Sequence, residues 1–162
     1  MRKIKVAIIG TGNIGTDLAE RLLDDNRFEI SAFIGRRKDS EGIKRLEGRI
    51  PGIYSEGASS LEQIIANVDG VFDATSAFDH AKHWEIISQA GKWAVDLTPS
   101  KIGRPAVPAL ASQIPSLGIQ DDVSSNYSMV TCGGQSSAAI VWALSQASKG
   151  LTQVEISSSI AS

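Results

Sequence analysis

Six consecutive residues, Gly10-Thr11-Gly12-Asn13-Ile14-Gly15, constrain this chain more than any other feature. They follow Ile4 to Ile9, an apolar run of strand length. They open a segment in which Ile14, Leu18, Leu22 and Leu23 fall on one helical face. A GxGxxG placed between a strand and a helix predicts a dinucleotide-binding βαβ unit. Gly10 permits the tight turn, Gly12 lets a pyrophosphate approach the backbone, and Gly15 allows helix and strand to pack closely. The helix start then turns unpaired N–H groups and its positive dipole end toward the phosphates.

The rest of the chain continues the alternation. Phe28 to Ile34 reads as a second strand, residues 38 to 48 as a short charged helix, and Ser60-Leu61-Glu62-Gln63 as a cap before Ile64 and Ile65. Gly70 to Ala74 is a buried strand, Asp79 to Gln89 a helix ending at Gly91, and Lys92 to Leu97 a strand stopped by Pro99. Residues 99 to 120 hold four of the five prolines and predict irregular structure with one short helix. A strand is expected near Ser128 to Thr131, a helix over Gln135 to Ser148, and an alternating, half-buried strand over Thr152 to Ala161. Parallel strands need crossover connections, so this order predicts an α/β fold, a Rossmann-like doubly wound parallel sheet with helices on both faces. The pattern changes near residue 131. We therefore expect a dinucleotide-binding domain over 1–130 and the start of a second α+β domain, of catalytic and dimerisation type, over 131–162.

Composition narrows the function classes. The 162 residues are 42% hydrophobic and 21% charged, which fits a packed domain and not a disordered chain. A formal net charge of −2 offers no basic field for nucleic acid or an anionic membrane. The apolar opening after Arg2, Lys3 and Lys5 is too short for a signal peptide or a membrane span, and a lone Cys132 makes no internal disulfide. A cytoplasmic protein is expected.

Two further motifs carry chemistry. At the end of the second strand, where an acid would hold the ribose hydroxyls of NAD, the chain has Gly35-Arg36-Arg37-Lys38. Arginines there suit the 2′-phosphate of NADP, so the expected cofactor is NAD or NADP. The only thiol lies in Val130-Thr131-Cys132-Gly133-Gly134-Gln135, between a predicted strand and a predicted helix. Backbone N–H groups at that helix start would favour a thiolate and receive an oxyanion. A thiolate beside a nicotinamide suggests addition to an aldehyde, hydride transfer from the thiohemiacetal, and a thioester left on the cysteine.

These residues resemble the acylating acetaldehyde dehydrogenases, which turn aldehyde, NAD and coenzyme A into acyl-CoA and NADH. The resemblance is carried by Lys5 to Gly10 with Gly12 to Leu18, Val71-Phe72-Asp73-Ala74-Thr75-Ser76-Ala77 and Asp96-Leu97-Thr98-Pro99. It continues through Met129 to Gln135 and Ile160-Ala161-Ser162. It implies that Cys132 carries the acyl group, that residues 11 to 14 wrap the pyrophosphate, and that Thr75 and Ser76 lie near the cofactor. It also implies coenzyme A as acyl acceptor, a role in aromatic hydrocarbon catabolism, a homo-oligomer, and a 4-hydroxy-2-oxovalerate aldolase as partner. Two departures stand out. The family usually has an acid where this chain has Arg37, and its members continue well beyond Ser162, so the chain reads as an amino-terminal portion.

Other expectations are plainer. His80 and His83 are three apart on a helix and, with no further ligand in view, are expected to be surface or helix-packing residues and no metal site. Asp73 and Asp96 end strands and should bond local backbone. Trp84, Trp93 and Trp142 should pack in the core or an interface. Two alternatives to the acylating enzyme are a phosphate-dependent semialdehyde dehydrogenase and a nicotinamide-binding module that senses redox state through Cys132.

Overall fold

The computed structural model describes residues 2–119, 125–148 and 150–157. Strand β1 (Ile4–Ile9) leads into helix α1 (Asn13–Leu23), followed by β2 (Phe28–Ile34), α2 (Glu41–Leu46), β3 (Ile53–Tyr54) and α3 (Ala58–Ile64). Then come β4 (Gly70–Asp73), α4 (Ala77–Gln89), β5 (Trp93–Asp96), β6 (Arg104–Pro105), β7 (Asn126–Ser128) and α5 (Cys132–Ala147). The strands form one sheet in the order β3-β2-β1-β4-β5-β7-β6, and every pairing is parallel. Strand order reverses between β1 and β4, which opens a crevice beyond their carboxyl ends.

Alternation along β1 sorts the core into two layers. Ala7 and Ile9 face a cluster with Leu61, Ile64, Val71 and Ile87, under α3 and α4. Val6 and Ile8 face the other cluster, with Ala19, Phe33, Ile43 and Leu46, under α1 and α2. Fully burying a side chain such as Leu46 or Ile87 contributes about 1.5–3 kcal/mol, so the helices on both faces hold the sheet by apolar burial. Leu18, Leu22 and Leu23 pack as expected, whereas Ile14, in the first turn of α1, is 54% exposed.

Other differences have local causes. Ser60 lies inside α3 instead of capping it; Gly57 is the cap, and the Ser60 hydroxyl accepts from the Glu56 N–H. Helix α4 begins earlier than the apolar periodicity indicates, because Ser76 caps it through the Asp79 N–H. Strand β3 has only two residues, too few for a period-two signal. The proline-rich stretch holds two 3-10 turns, Pro108–Leu110 and Pro115–Leu117, and the short strand β6. Strand β7 ends earlier than the apolar pattern suggested and α5 starts at Cys132, since Thr131 provides a cap the glycines had obscured. The expected strand over 152–161 is absent from residues 152–157, which have no sheet neighbour; 158–161 lie outside the described residues. Among the described residues, no helix is long and apolar enough to cross a membrane.

Candidate functional site

The crevice at the strand reversal is a groove of about 590 Å³. Its floor is the turn after β1. Gly10 has φ +109, and a Cβ there would lie 2.5 Å from the Ala74 carbonyl oxygen, so only glycine fits the turn. A Cβ on Gly15 would meet the Gly10 carbonyl oxygen at 1.9 Å, which is the close helix–strand packing the motif requires. Gly12 differs: a Cβ there would meet nothing within 4 Å. Gly12 is also the N-cap of α1 without any side-chain cap bond, so no side chain of its own covers the amide end of that helix. An open amide terminus behind a glycine cradle suits a pyrophosphate.

Gly10, Thr11, Gly12, Arg36, Arg37, Thr75 and Ser76 all line this groove. Asn13 borders a neighbouring depression, Ile14 points to solvent, and Gly15 is a buried packing residue. Arg37 is held by Asp39 through two bonds of 3.0 and 3.3 Å, whose pairing also lowers the Asp39 carboxyl below its ordinary range. Arg36 stays 83% exposed in its side chain, with Asp79 4.0 Å away. Ser76 is already engaged: its hydroxyl accepts from the Asp79 N–H and donates to the Asp79 carboxylate.

Beneath the groove lies a polar cluster that residue spacing alone did not assemble. Asp73 and Asp96 are register partners on β4 and β5, and both are fully buried. Two adjacent buried carboxylates require compensation, because desolvation alone would be prohibitive. Oδ1 of Asp73 accepts from the backbone N–H of Thr75 at 3.0 Å and from its hydroxyl. Oδ2 meets Nδ1 of His80 at 2.9 Å and Nδ1 of His83 at 2.8 Å. Asp96 accepts from the Thr98 N–H at 2.7 Å and from the Ser100 hydroxyl, and lies 3.6 Å from Nε2 of His80. Asn126 of β7 completes the cluster, its amide nitrogen 2.9 Å from His80 Nε2.

The two histidines are therefore buried ligands of a carboxylate and not surface residues. The local backbone bonds expected of Asp73 and Asp96 are present beside them. Burial opposes ionisation of Asp73, but bonds from His80, His83 and Thr75 outweigh it and hold the carboxyl well below the ordinary range. Burial likewise disfavours the His80 cation, yet the Asp73 bond and the Asp96 charge raise its pKa above 6.5. The three-residue spacing of the histidines was a signal for a shared face. Their target was hidden because it depends on which strands become neighbours. No group of three or more His, Cys, Asp or Glu residues suited to a metal occurs among the described residues.

The thiol is built on the next strand. Met129 N–H bonds the Asp96 carbonyl at 2.8 Å, and Val130 then turns the chain with φ +52, a strained conformation for a β-branched residue. Thr131 caps α5 by accepting the Gly134 N–H at 2.9 Å. Gln135 anchors the turn, donating to the carbonyls of Ala106 at 2.6 Å and Met129 at 3.0 Å. Cys132 is the first helical residue and its side chain is exposed. It is not among the residues lining the groove. Helix α5 has no buried residue, and Ile140 and Leu144 are 62% and 50% exposed; Trp142 is half-buried.

Comparison with known proteins bears on the family and the fold. A family model described as semialdehyde dehydrogenase, NAD binding domain, matches residues 5–116. An acetaldehyde dehydrogenase of Pectobacterium atrosepticum is 38% identical over 99% of the chain and 53% of its own length. One from Bacillus cereus is 37% identical over 100% of the chain and 52% of its own length. The chain thus spans about half the length of these curated relatives. Among solved structures, a 3-ketoreductase of Actinomadura kijaniata in complex with NADP is 26% identical, with a TM-score of 0.53 over 72% of this chain and 36% of its own. A biliverdin reductase of Synechocystis, 20% identical, shares the fold with a TM-score of 0.55 over 77% of this chain and 37% of its own.

Proposed function

The chain belongs to the semialdehyde dehydrogenase NAD-binding-domain family, and from that premise we propose that it is the cofactor-binding part of an acylating aldehyde dehydrogenase acting on a short aldehyde such as acetaldehyde. The observation that carries this reading is the exposed thiol of Cys132 at the first residue of a capped helix that follows β7, a strand of the same parallel sheet. Gly10, Thr11 and Gly12 would seat the pyrophosphate of NAD or NADP at the amide end of α1. Arg36 and Arg37 would lie toward the adenosine ribose, where guanidinium groups favour a 2′-phosphate. Bound nicotinamide supplies the hydride acceptor.

Cys132 supplies the nucleophile. Its sulfur adds to the aldehyde carbon, holds the thiohemiacetal, and after oxidation carries the acyl group as a thioester. Thr131 occupies the Gly134 N–H, which leaves those of Cys132 and Gly133 to receive the developing oxyanion. The thiol of coenzyme A then attacks the acyl carbon and releases Cys132. An aldolase that forms the aldehyde by splitting a 4-hydroxy-2-oxoacid would be a fitting partner, and self-association would cover α5.

The absence of Cys132 from the groove lining favours a second reading for these 162 residues taken alone: a binding half whose chemistry needs further chain. Intact mass after incubation with acetaldehyde and oxidised cofactor, without coenzyme A, separates the two. An acetyl adduct that requires cofactor, is absent in Cys132→Ser and disappears with coenzyme A supports the acylating enzyme. Release by phosphate in place of coenzyme A would make it the phosphate-dependent type. No adduct from folded protein that binds cofactor supports the binding half.

A further inference from the structure

His83 is unlike a structural histidine in one respect. Its Nδ1 is fixed on the Asp73 carboxylate at 2.8 Å, and the ring is only 5% exposed, yet it borders the groove. A carboxylate only accepts, so that bond places the proton on Nδ1. In the neutral ring, Nε2 is then a hydrogen-bond acceptor. Among the described residues nothing pairs with Nε2, and it is not one of the side-chain atoms the fold seals away without a partner.

We propose that His83 contacts the bound dinucleotide, Nε2 accepting a hydrogen bond from a ribose hydroxyl. The inference rests on a nicotinamide dinucleotide occupying the groove. The hydroxyl follows from complementarity, since phosphate oxygens are themselves acceptors and have a better seat at the amide end of α1. The charges around His83 point the same way. Asp73 holds the ring from its Nδ1 side, away from the groove lining, while Asp79 of the same helix and Glu56 line the groove beside His83. Lys82 is the cation nearest in sequence, while Arg36 is drawn toward Asp79. Asp73 thus acts as a positioning residue for two groove elements at once, Thr75 through Oδ1 and His83 through Oδ2.

The chain has only two histidines, so a histidine-labelled nitrogen-15 spectrum reads the proposal directly. His83→Gln assigns the two rings. Addition of saturating NAD or NADP to the unaltered chain should shift the His83 Nε2 resonance more than that of His80, while inorganic pyrophosphate alone should leave it in place. Binding titrations should find the cofactor about tenfold weaker in His83→Leu and partly restored in His83→Gln, whose amide oxygen can still accept. A His83 resonance unmoved by bound cofactor overturns the contact and leaves the groove reading standing. A shift reproduced by pyrophosphate alone also overturns it, in favour of a phosphate. Failure of the unaltered chain to bind either cofactor defeats the groove reading and this one with it.

Discussion

Nε2 of His80 lies 2.9 Å from the amide nitrogen of Asn126, while the amide oxygen of Asn126 is buried without a partner. With the amide nitrogen toward the ring, the contact suits a neutral imidazole accepting from the amide. Turning the amide over would put its oxygen on Nε2, the arrangement an imidazolium requires. The raised pKa of His80 favours the second form. Protonation of His80 would therefore accompany a turn of the Asn126 amide, so the two forms of this contact would differ by one proton.

That proton makes stability depend on pH in a definite direction. A raised His80 pKa contributes stability that is fully present below 6.5 and is lost as pH rises through the folded value. Asp73 behaves oppositely: its contribution is present above 3.8 and lost as pH falls toward its depressed folded value. Unfolding free energies from urea titrations at pH 4 to 9 should fall on the alkaline side by at most about 1.4 kcal/mol per pH unit. His80→Gln should flatten that limb. A limb of unchanged slope in this variant would refute the assignment.

Asp73 is the hub on which several donors converge, so its removal should cost more than any single contact suggests. Asp73→Ala strands the His80 and His83 Nδ1 donors and frees the Thr75 backbone. A loss of about 3–5 kcal/mol is expected from breaking such a buried arrangement. Chemical denaturation measures it, and a change under 1 kcal/mol would mean that the histidines find other partners.

The glycines of the turn separate folding from binding. Gly15→Ala drives a Cβ into the Gly10 carbonyl and should destabilise by about 1–3 kcal/mol. Gly12→Ala meets no atom of the protein and should leave the urea midpoint nearly unchanged. It nevertheless fills the space a pyrophosphate needs, so cofactor affinity should drop by about tenfold or more. Equal binding by both proteins would place the phosphates elsewhere.

The sheet and the glycine cradle were legible because their signals are local. Ile4 to Ile9 gives the strand by its run, and each glycine has its role within five residues of the others. The Asp73 cluster was not legible, because its members come from β4, α4, β5 and β7 and meet only when the strands take their order. The start of α5 was obscured for another reason: Gly133 and Gly134 look like a turn, whereas the Thr131 cap draws both into the helix. The period-two alternation of Val154 and Ile156 predicted a strand, but alternation needs a neighbouring strand to become one.

The cofactor preference can be resolved at Arg36 and Arg37. Arg37 already forms a two-bond pair with Asp39, so part of its hydrogen-bonding capacity is spent within the turn. Arg36 is held more loosely, 4.0 Å from Asp79, and is freer to meet a 2′-phosphate. Arg36→Ala should therefore weaken NADP about tenfold while leaving NAD within about twofold, the difference being one charge-assisted bond. Asp39→Asn should act oppositely, because releasing Arg37 from its partner strengthens the pull on the same phosphate. Paired titrations of both cofactors against the two variants check this. If Arg36→Ala weakens NAD and NADP alike, the arginine holds the shared part of the cofactor and does not discriminate between them.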